Sequence, residues 1–198
     1  GKTESGTVWL DPERTSPYAF YQFWLNIDDA DAVKCLKYFS LLSKEEIVEL
    51  EAATEAEPYK RVAQKALGAD VTRRVHGETG LAKALQATDA LFGGDLAGLS
   101  APDIADVFGD VPSSEVGAEA LAAEGKLIVD LLEESGVSTS KGDARRWIEG
   151  GGIYLNNRRI ESTDYRVTAE DAIEGRFLVL RKGKKNYHLT VVSEARHA

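Results

Sequence analysis

Apolar positions repeat every three to four residues through the first half of the chain, and short apolar runs bounded by turn signals replace that spacing near its end. That change of period divides the molecule before any motif is considered. Thr7-Val8-Trp9-Leu10 reads as a short strand-like stretch inside an extended segment, 1–15. Ser16-Pro17 then opens a helix, with serine as cap and proline in the first turn. Phe20, Tyr21, Phe23, Trp24 and Leu25 make that helix apolar over most of its surface, which predicts burial against several neighbours. Further helices are expected over about 30–39 and 44–57, the second opened by a Ser43/Glu46 capping box. Another starts at Pro58 and runs to about His76, where Gly77 stops it, and one more covers about 80–92.

From Gly93 to Gly117 the pattern is broken by five glycines and by Pro102 and Pro112. One short helix capped by Ser100 is expected there, the rest being connector. Helices over Lys126–Glu134 and Lys141–Glu149 follow, the latter capped by Ser140 and closed by Gly150-Gly151-Gly152. Ile153–Leu155 and Arg158–Ile160 then flank Asn156-Asn157, a tight-turn signal. Phe177–Leu180 is a continuous apolar strand, turned by Lys182-Gly183-Lys184 into Tyr187–Val192. The expectation is an α+β chain: a helical bundle at 16–92, a linker at 93–124, and at 125–198 a module of two helices and β-hairpins. There is no internal repeat.

Composition alters this picture in one respect. The net charge of the 198 residues is -9, but it is unevenly placed. Residues 1–136 hold 25 acidic and 12 basic residues, net -13, whereas residues 137–198 hold 8 acidic and 12 basic, net +4. An acidic body joined to a basic module suggests local contact with nucleic acid. Cys35 is the single cysteine, which excludes an internal disulfide and a cysteine-built zinc site, and no metal site is expected. No apolar run approaches the length of a membrane span, and a reducing, cytoplasmic setting is the expectation.

The candidate chemistry lies in the basic module. Lys141 and Arg145 share one helix face, and Arg146 lies beside it. Arg158 and Arg159 sit on the first hairpin, and Arg181, Lys182, Lys184 and Lys185 crowd the second. Cations on three elements suit a phosphate backbone, which needs several contacts along a strand. The competing reading is a set of solvated surface charges. Trp147 and Ile148 are read as core residues.

Ser140-Lys141-Gly142-Asp143-Ala144-Arg145-Arg146-Trp147-Ile148, followed by Gly151-Gly152-Ile153-Tyr154-Leu155-Asn156, resembles the RNA-binding domain named after ribosomal small-subunit protein four. Arg181-Lys182-Gly183-Lys184-Lys185 resembles the basic turn that closes this domain in tyrosyl-tRNA synthetases. Upstream, Val8-Trp9-Leu10-Asp11-Pro12, Thr15-Ser16-Pro17-Tyr18, Tyr21-Gln22-Phe23-Trp24 and Ala63-Gln64-Lys65-Ala66-Leu67 resemble the helical segment that follows the catalytic domain of the bacterial enzymes. The resemblance implies RNA contact through Ser140, Lys141, Arg145, Arg146, Arg158, Arg159, Lys182, Lys184 and Lys185. It also offers Lys60, Arg61, Arg73 and Arg74 as contacts to the anticodon stem and variable arm of the tRNA for tyrosine. Cys35 is read as a small core residue, and His76 as a helix-terminal residue favourable to the dipole.

Gly1-Lys2-Thr3 could end a phosphate-binding loop, but Glu4-Ser5-Gly6 does not continue as an apolar helix. It fits the mobile loop of class I synthetases better, with Lys2 as the lysine that holds ATP phosphates; ATP, with Mg, is a substrate of the parent enzyme in that family. No strand–helix alternation, paired histidines or glycine-rich loop supplies a catalytic domain, and no catalytic residue is expected. The resemblance therefore implies a tRNA-binding portion without aminoacylation activity, and a parent homodimer joined through the catalytic domain. A non-catalytic RNA-binding regulator sharing the basic module is the alternative, with a protein-interaction scaffold a third.

Overall fold

A computed structural model describes residues 7–122 and 124–194. Two compact units divide between Leu85 and Gln86.

The first unit is helical. It holds α1 (Pro17–Leu25), α2 (Asp29–Phe39), α3 (Lys44–Ala56) and most of α4 (Val62–Ala90). The Ser16 hydroxyl caps α1 by accepting the Ala19 N–H, with Pro17 in the first turn. At α3 the capping box closes in both directions: Glu46 N–H donates to Ser43 Oγ at 3.2 Å, and Ser43 N–H donates to Glu46 Oε2 at 2.7 Å. Phe20, Leu36, Ile47, Leu67 and Val71 meet in one core from all four helices, and Tyr21 packs with Leu81 and Ala84 in a second. Gly68 is required where α4 crosses α1, because a Cβ there would stand 2.9 Å from the Tyr21 ring.

Two expectations change here. Residues 7–10 form no strand: Trp9 N–H donates to Thr15 Oγ1 and the Arg14 guanidinium covers the Trp9 ring at 3.6 Å, which folds the segment on itself. The segment at Pro58 makes one 3-10 turn, Pro58–Lys60, and α4 starts at Val62, after Arg61 has taken a left-handed backbone. The expected stop at Gly77 is present as a break inside α4, with φ 75 and ψ 177. Those angles are open to glycine and essentially closed to other residues.

The second unit is α+β. It continues from the end of α4 through α5 (Ala101–Phe108), β1 (Ser113–Gly117), β2 (Lys126–Leu127), α6 (Ile128–Glu134) and α7 (Lys141–Glu149). Then come β3 (Ile153–Leu155), β4 (Arg158–Arg159), β5 (Arg166–Val167), β6 (Phe177–Lys182) and β7 (Asn186–Ser193). The main sheet runs β1-β7-β6-β3-β4, and β2 with β5 forms a small second sheet. All pairs are antiparallel except β1 with β7, which makes the sheet mixed.

Residues 113–117, read from sequence as connector, are thus an edge strand. Ser-Ser-Glu-Val-Gly has little intrinsic strand preference, and the parallel ladder to Leu189–Ser193 holds it extended. Alternation along β6 gives the sheet two packed faces. Leu178 and Leu180 join Ile128, Leu132, Ala144 and Ile148 of α6 and α7 in the core. On the opposite face Phe108 of α5 lies against Tyr187, ring centroids 5.1 Å apart.

Candidate nucleic-acid interface

The candidate RNA-binding residues of the second unit fall into two groups. Arg145, Arg158, Arg159, Lys184 and Lys185 are exposed and form no ion pair among the described residues. Arg146 is also open, its side chain 77% exposed with a long 3.7 Å approach to Asp143. These groups come from α7, from β4 and from the β6–β7 turn, the three elements that the sequence singled out.

The others are committed within the fold. Ser140 caps α7, its hydroxyl accepting the Asp143 N–H at 3.1 Å. Lys141 pairs with Asp130 of α6 at 2.9 Å, and that bond raises its pKa. Lys182 is largely covered: its ammonium lies 3.0 Å from Asp143, donates to the Val137 carbonyl at 3.1 Å, and sits 5.0 Å from the centre of the Trp147 ring. The same ammonium holds the Asp143 carboxyl below its usual range. Lys182 therefore ties the β6–β7 turn to the start of α7.

Arg181 is also in the fold rather than on its surface. It is 8% exposed, paired across the ladders with Tyr154 and Tyr187. Its guanidinium stacks 3.7 Å above the Tyr154 ring and donates to Asn157 Oδ1 and the Gly183 carbonyl. Asn157 in turn donates to the carbonyls of Ala90 and Gly94, and Tyr187 donates to that of Ala90. This network fastens the end of α4 to the sheet within the second unit. Asn156 and Asn157 both have positive φ, as a two-residue hairpin turn requires.

Gly151 and Gly152 leave room for neighbouring side chains. A Cβ on Gly151 would collide with the Arg159 guanidinium, and one on Gly152 would stand 2.4 Å from the Trp147 indole. Trp147 itself is not core: it is 38% exposed, whereas its neighbour Ile148 is buried. The buried stripe of α7 is Ala144 and Ile148, four apart, which leaves position 147 at its edge; that spacing was legible. Sequence reasoning also missed Tyr165, which donates to Asp171 at 2.7 Å and whose pKa is pushed up to about 12 by burial and that bond. Tyr165 lies with Arg158 and Arg159 along a concavity of about 380 Å³.

In the first unit the four candidate cations are all engaged. Lys60 pairs with Glu57, and Arg73 with Glu78 at 2.7 Å. Arg61 donates to the Ile27 carbonyl at 2.8 Å. Arg74 pairs with Asp70 at 2.9 Å and donates to the Phe39 carbonyl. Arg61 thus holds the α1–α2 connection and Arg74 ties the end of α2 to α4, and the structure does not gather the four into one patch separate from carboxylates. Cys35 is half-buried beside the core, its thiol pKa raised chiefly by burial. His76 packs edge-on to Phe20 at 4.9 Å, and burial lowers its pKa. Lys2 lies outside the described residues. Among the described residues no cluster of histidine, cysteine or carboxylates could hold a metal ion, and no helix is long and apolar enough to cross a membrane.

Comparison with known proteins covers nearly the whole chain. Residues 1–93 match the family model of class I tRNA synthetases for tryptophan and tyrosine, and residues 103–190 match that of the tyrosine–tRNA ligase SYY-like C-terminal domain. A tyrosine–tRNA ligase of Roseiflexus castenholzii is 56% identical over 189 residues, which is 96% of this chain and 45% of that protein. Tyrosine–tRNA ligase 1 of Bacillus cereus is 52% identical, with 96% and 44% covered. A solution structure of a tyrosyl-tRNA synthetase C-terminal domain is 42% identical, spanning 53% of this chain and 99% of its own, with a TM-score of 0.40. The chain spans less than half the length of these curated relatives. With both models matched in order, this chain belongs to the tyrosyl-tRNA synthetase family and corresponds to its C-terminal portion.

Proposed function

We propose that this chain is the tRNA-binding part of a tyrosine–tRNA ligase, and that residues 125–198 are an RNA-binding module of the ribosomal-protein-S-four type. The observation that carries this reading is the set of exposed cations on α7, β4 and the β6–β7 turn that have no carboxylate partner among the described residues. They stand on a unit whose sequence matches a synthetase C-terminal domain. Separate point charges on rigid elements position a sugar–phosphate backbone without reading its bases. Arg145, Arg158, Arg159, Lys184 and Lys185 are the phosphate contacts in this proposal, with Arg146, which approaches Asp143 at 3.7 Å, a weaker addition. Ser140, Lys141 and Lys182 shape the surface, and Lys60, Arg61, Arg73 and Arg74 are secondary.

The complete enzyme activates tyrosine with ATP and Mg and transfers it to tRNA, by this reading, in the cytoplasm and as a homodimer. The C-terminal portion contributes the grip on tRNA. Two measurements on the 198-residue chain test the proposal. Binding of the tRNA for tyrosine should exceed that of an unrelated tRNA at matched salt; equal weak binding would count against it. Tyrosine-dependent exchange between ATP and pyrophosphate should stay at background, and exchange above it would overturn the division of labour.

A further inference from the structure

Trp147 is a large aromatic, 38% exposed, within the most basic part of the molecule. Its indole is held rigidly. It rests on backbone that only glycine leaves open at one point: a Cβ at Gly152 would stand 2.4 Å from Cε3. Lys182 braces the ring at 5.0 Å and is itself fixed by Asp143 and the Val137 carbonyl. Exposed cations adjoin it in the chain and in the turn that it touches: Arg146, Lys184 and Lys185. A fixed ring that is 38% exposed and bordered by exposed cations is an arrangement that holds an unstacked base while its phosphates are neutralised nearby.

We infer that Trp147 is a stacking platform for an unpaired nucleobase of the bound RNA. This rests on the RNA-binding reading above and adds a preference that reading lacks: phosphate contacts accept a perfect duplex, whereas the platform requires a base free of its partner. The backbone at Gly152 and the brace of Lys182 are positioning elements for the ring. Stacking tolerates any base, so the preference is for RNA shape rather than sequence.

The test uses the 198-residue chain with two RNAs of equal phosphate number, one a hairpin with a single-stranded loop and the other a fully paired duplex. Trp147→Ala should weaken hairpin binding on the order of 10-fold, leave duplex binding unchanged, and leave the slope of log affinity against log salt unchanged. Trp147→Phe should retain most of the affinity, and its melting temperature serves as the folding control. Lys184→Ala should lower the salt slope by about 1 for both RNAs. Equal losses on hairpin and duplex, a changed salt slope, or no loss for Trp147→Ala would each overturn the platform. Salt-dependent binding that persists in that variant would leave the RNA reading standing. If the unchanged chain shows no salt-dependent binding to either RNA, that reading falls and the platform with it.

Discussion

At the scale of single residues, the structure separates cations that build the fold from cations that remain available. Arg181 is the sharpest case. It lies in a run that reads as one basic turn, yet alternation along β6 turns it inward between Tyr154 and Tyr187 while Lys184 and Lys185 stay out. A run of like residues in sequence gives no notice of which one the pleat buries. Removing Arg181 takes a donor from the Gly183 carbonyl, leaves Asn157 Oδ1 with only the longer 3.3 Å bond from Tyr187, and leaves the Tyr154 ring without its cation. Arg181→Ala should therefore destabilise the protein by about 2–4 kcal/mol, measured by urea unfolding. An unchanged midpoint with weaker RNA binding would place Arg181 on the interface instead. His188 gives a pH-dependent counterpart. It is 8% exposed, hydrogen-bonded to Ser114 of β1, and burial lowers its pKa from 6.5. A histidine whose folded pKa lies below its unfolded one binds fewer protons folded, so stability is full above about pH 6.5 and falls with pH below it. His76 adds in the same direction, whereas the lowered pKa of Asp143 acts only at more acid pH. The melting temperature should decline between about pH 7.5 and 5.5, and His188→Gln should flatten that decline. A decline unchanged in the variant would remove His188 as its source.

At the scale of elements, what the sequence announces is what local chemistry decides. Ser16, Ser43, Ser100 and Ser140 each cap the helix assigned to them, because a cap needs one side chain and the amide three residues ahead. The Asn156-Asn157 turn was legible for the same reason: positive φ is a property of those two residues. The edge strand β1 was not, since its conformation comes from a partner 76 residues away in the ladder, Ser113 to Leu189 and onward. The α4 break is local again. A Cβ on Gly77 would meet nothing within 4 Å, so substitution there tests backbone strain without a steric clash. Gly77→Ala should cost about 1–3 kcal/mol through that strain, read as a lowered unfolding midpoint. An unchanged or raised midpoint would mean that the helix straightens through this position at no cost.

At the scale of the whole molecule, the charge split between residues 1–136 and 137–198 marks the basic end, but some of its cations are paired within the fold. Sequence counts eight candidate cations there besides Ser140: Lys141, Arg145, Arg146, Arg158, Arg159, Lys182, Lys184 and Lys185. Three of them have carboxylate partners, Lys141 with Asp130 and both Lys182 and Arg146 with Asp143. A cation already neutralised releases few counterions from RNA when it meets a phosphate, since it must first surrender its partner. The number of phosphates engaged is thus closer to five than to eight, and salt dependence distinguishes the two. Five contacts give a slope of log affinity against log salt of about -3.5 to -4.5, and eight give about -6 to -7. The smaller slope is expected for the 198-residue chain with the tRNA for tyrosine. Lys182→Ala should leave that slope unchanged and lower the melting temperature, because its ammonium joins the β6–β7 turn to Asp143 and Val137. Lys185→Ala should do the reverse. A slope near about -7, falling by about 1 in Lys182→Ala, would mean that the internal pairs open on binding and that all eight cations grip the RNA.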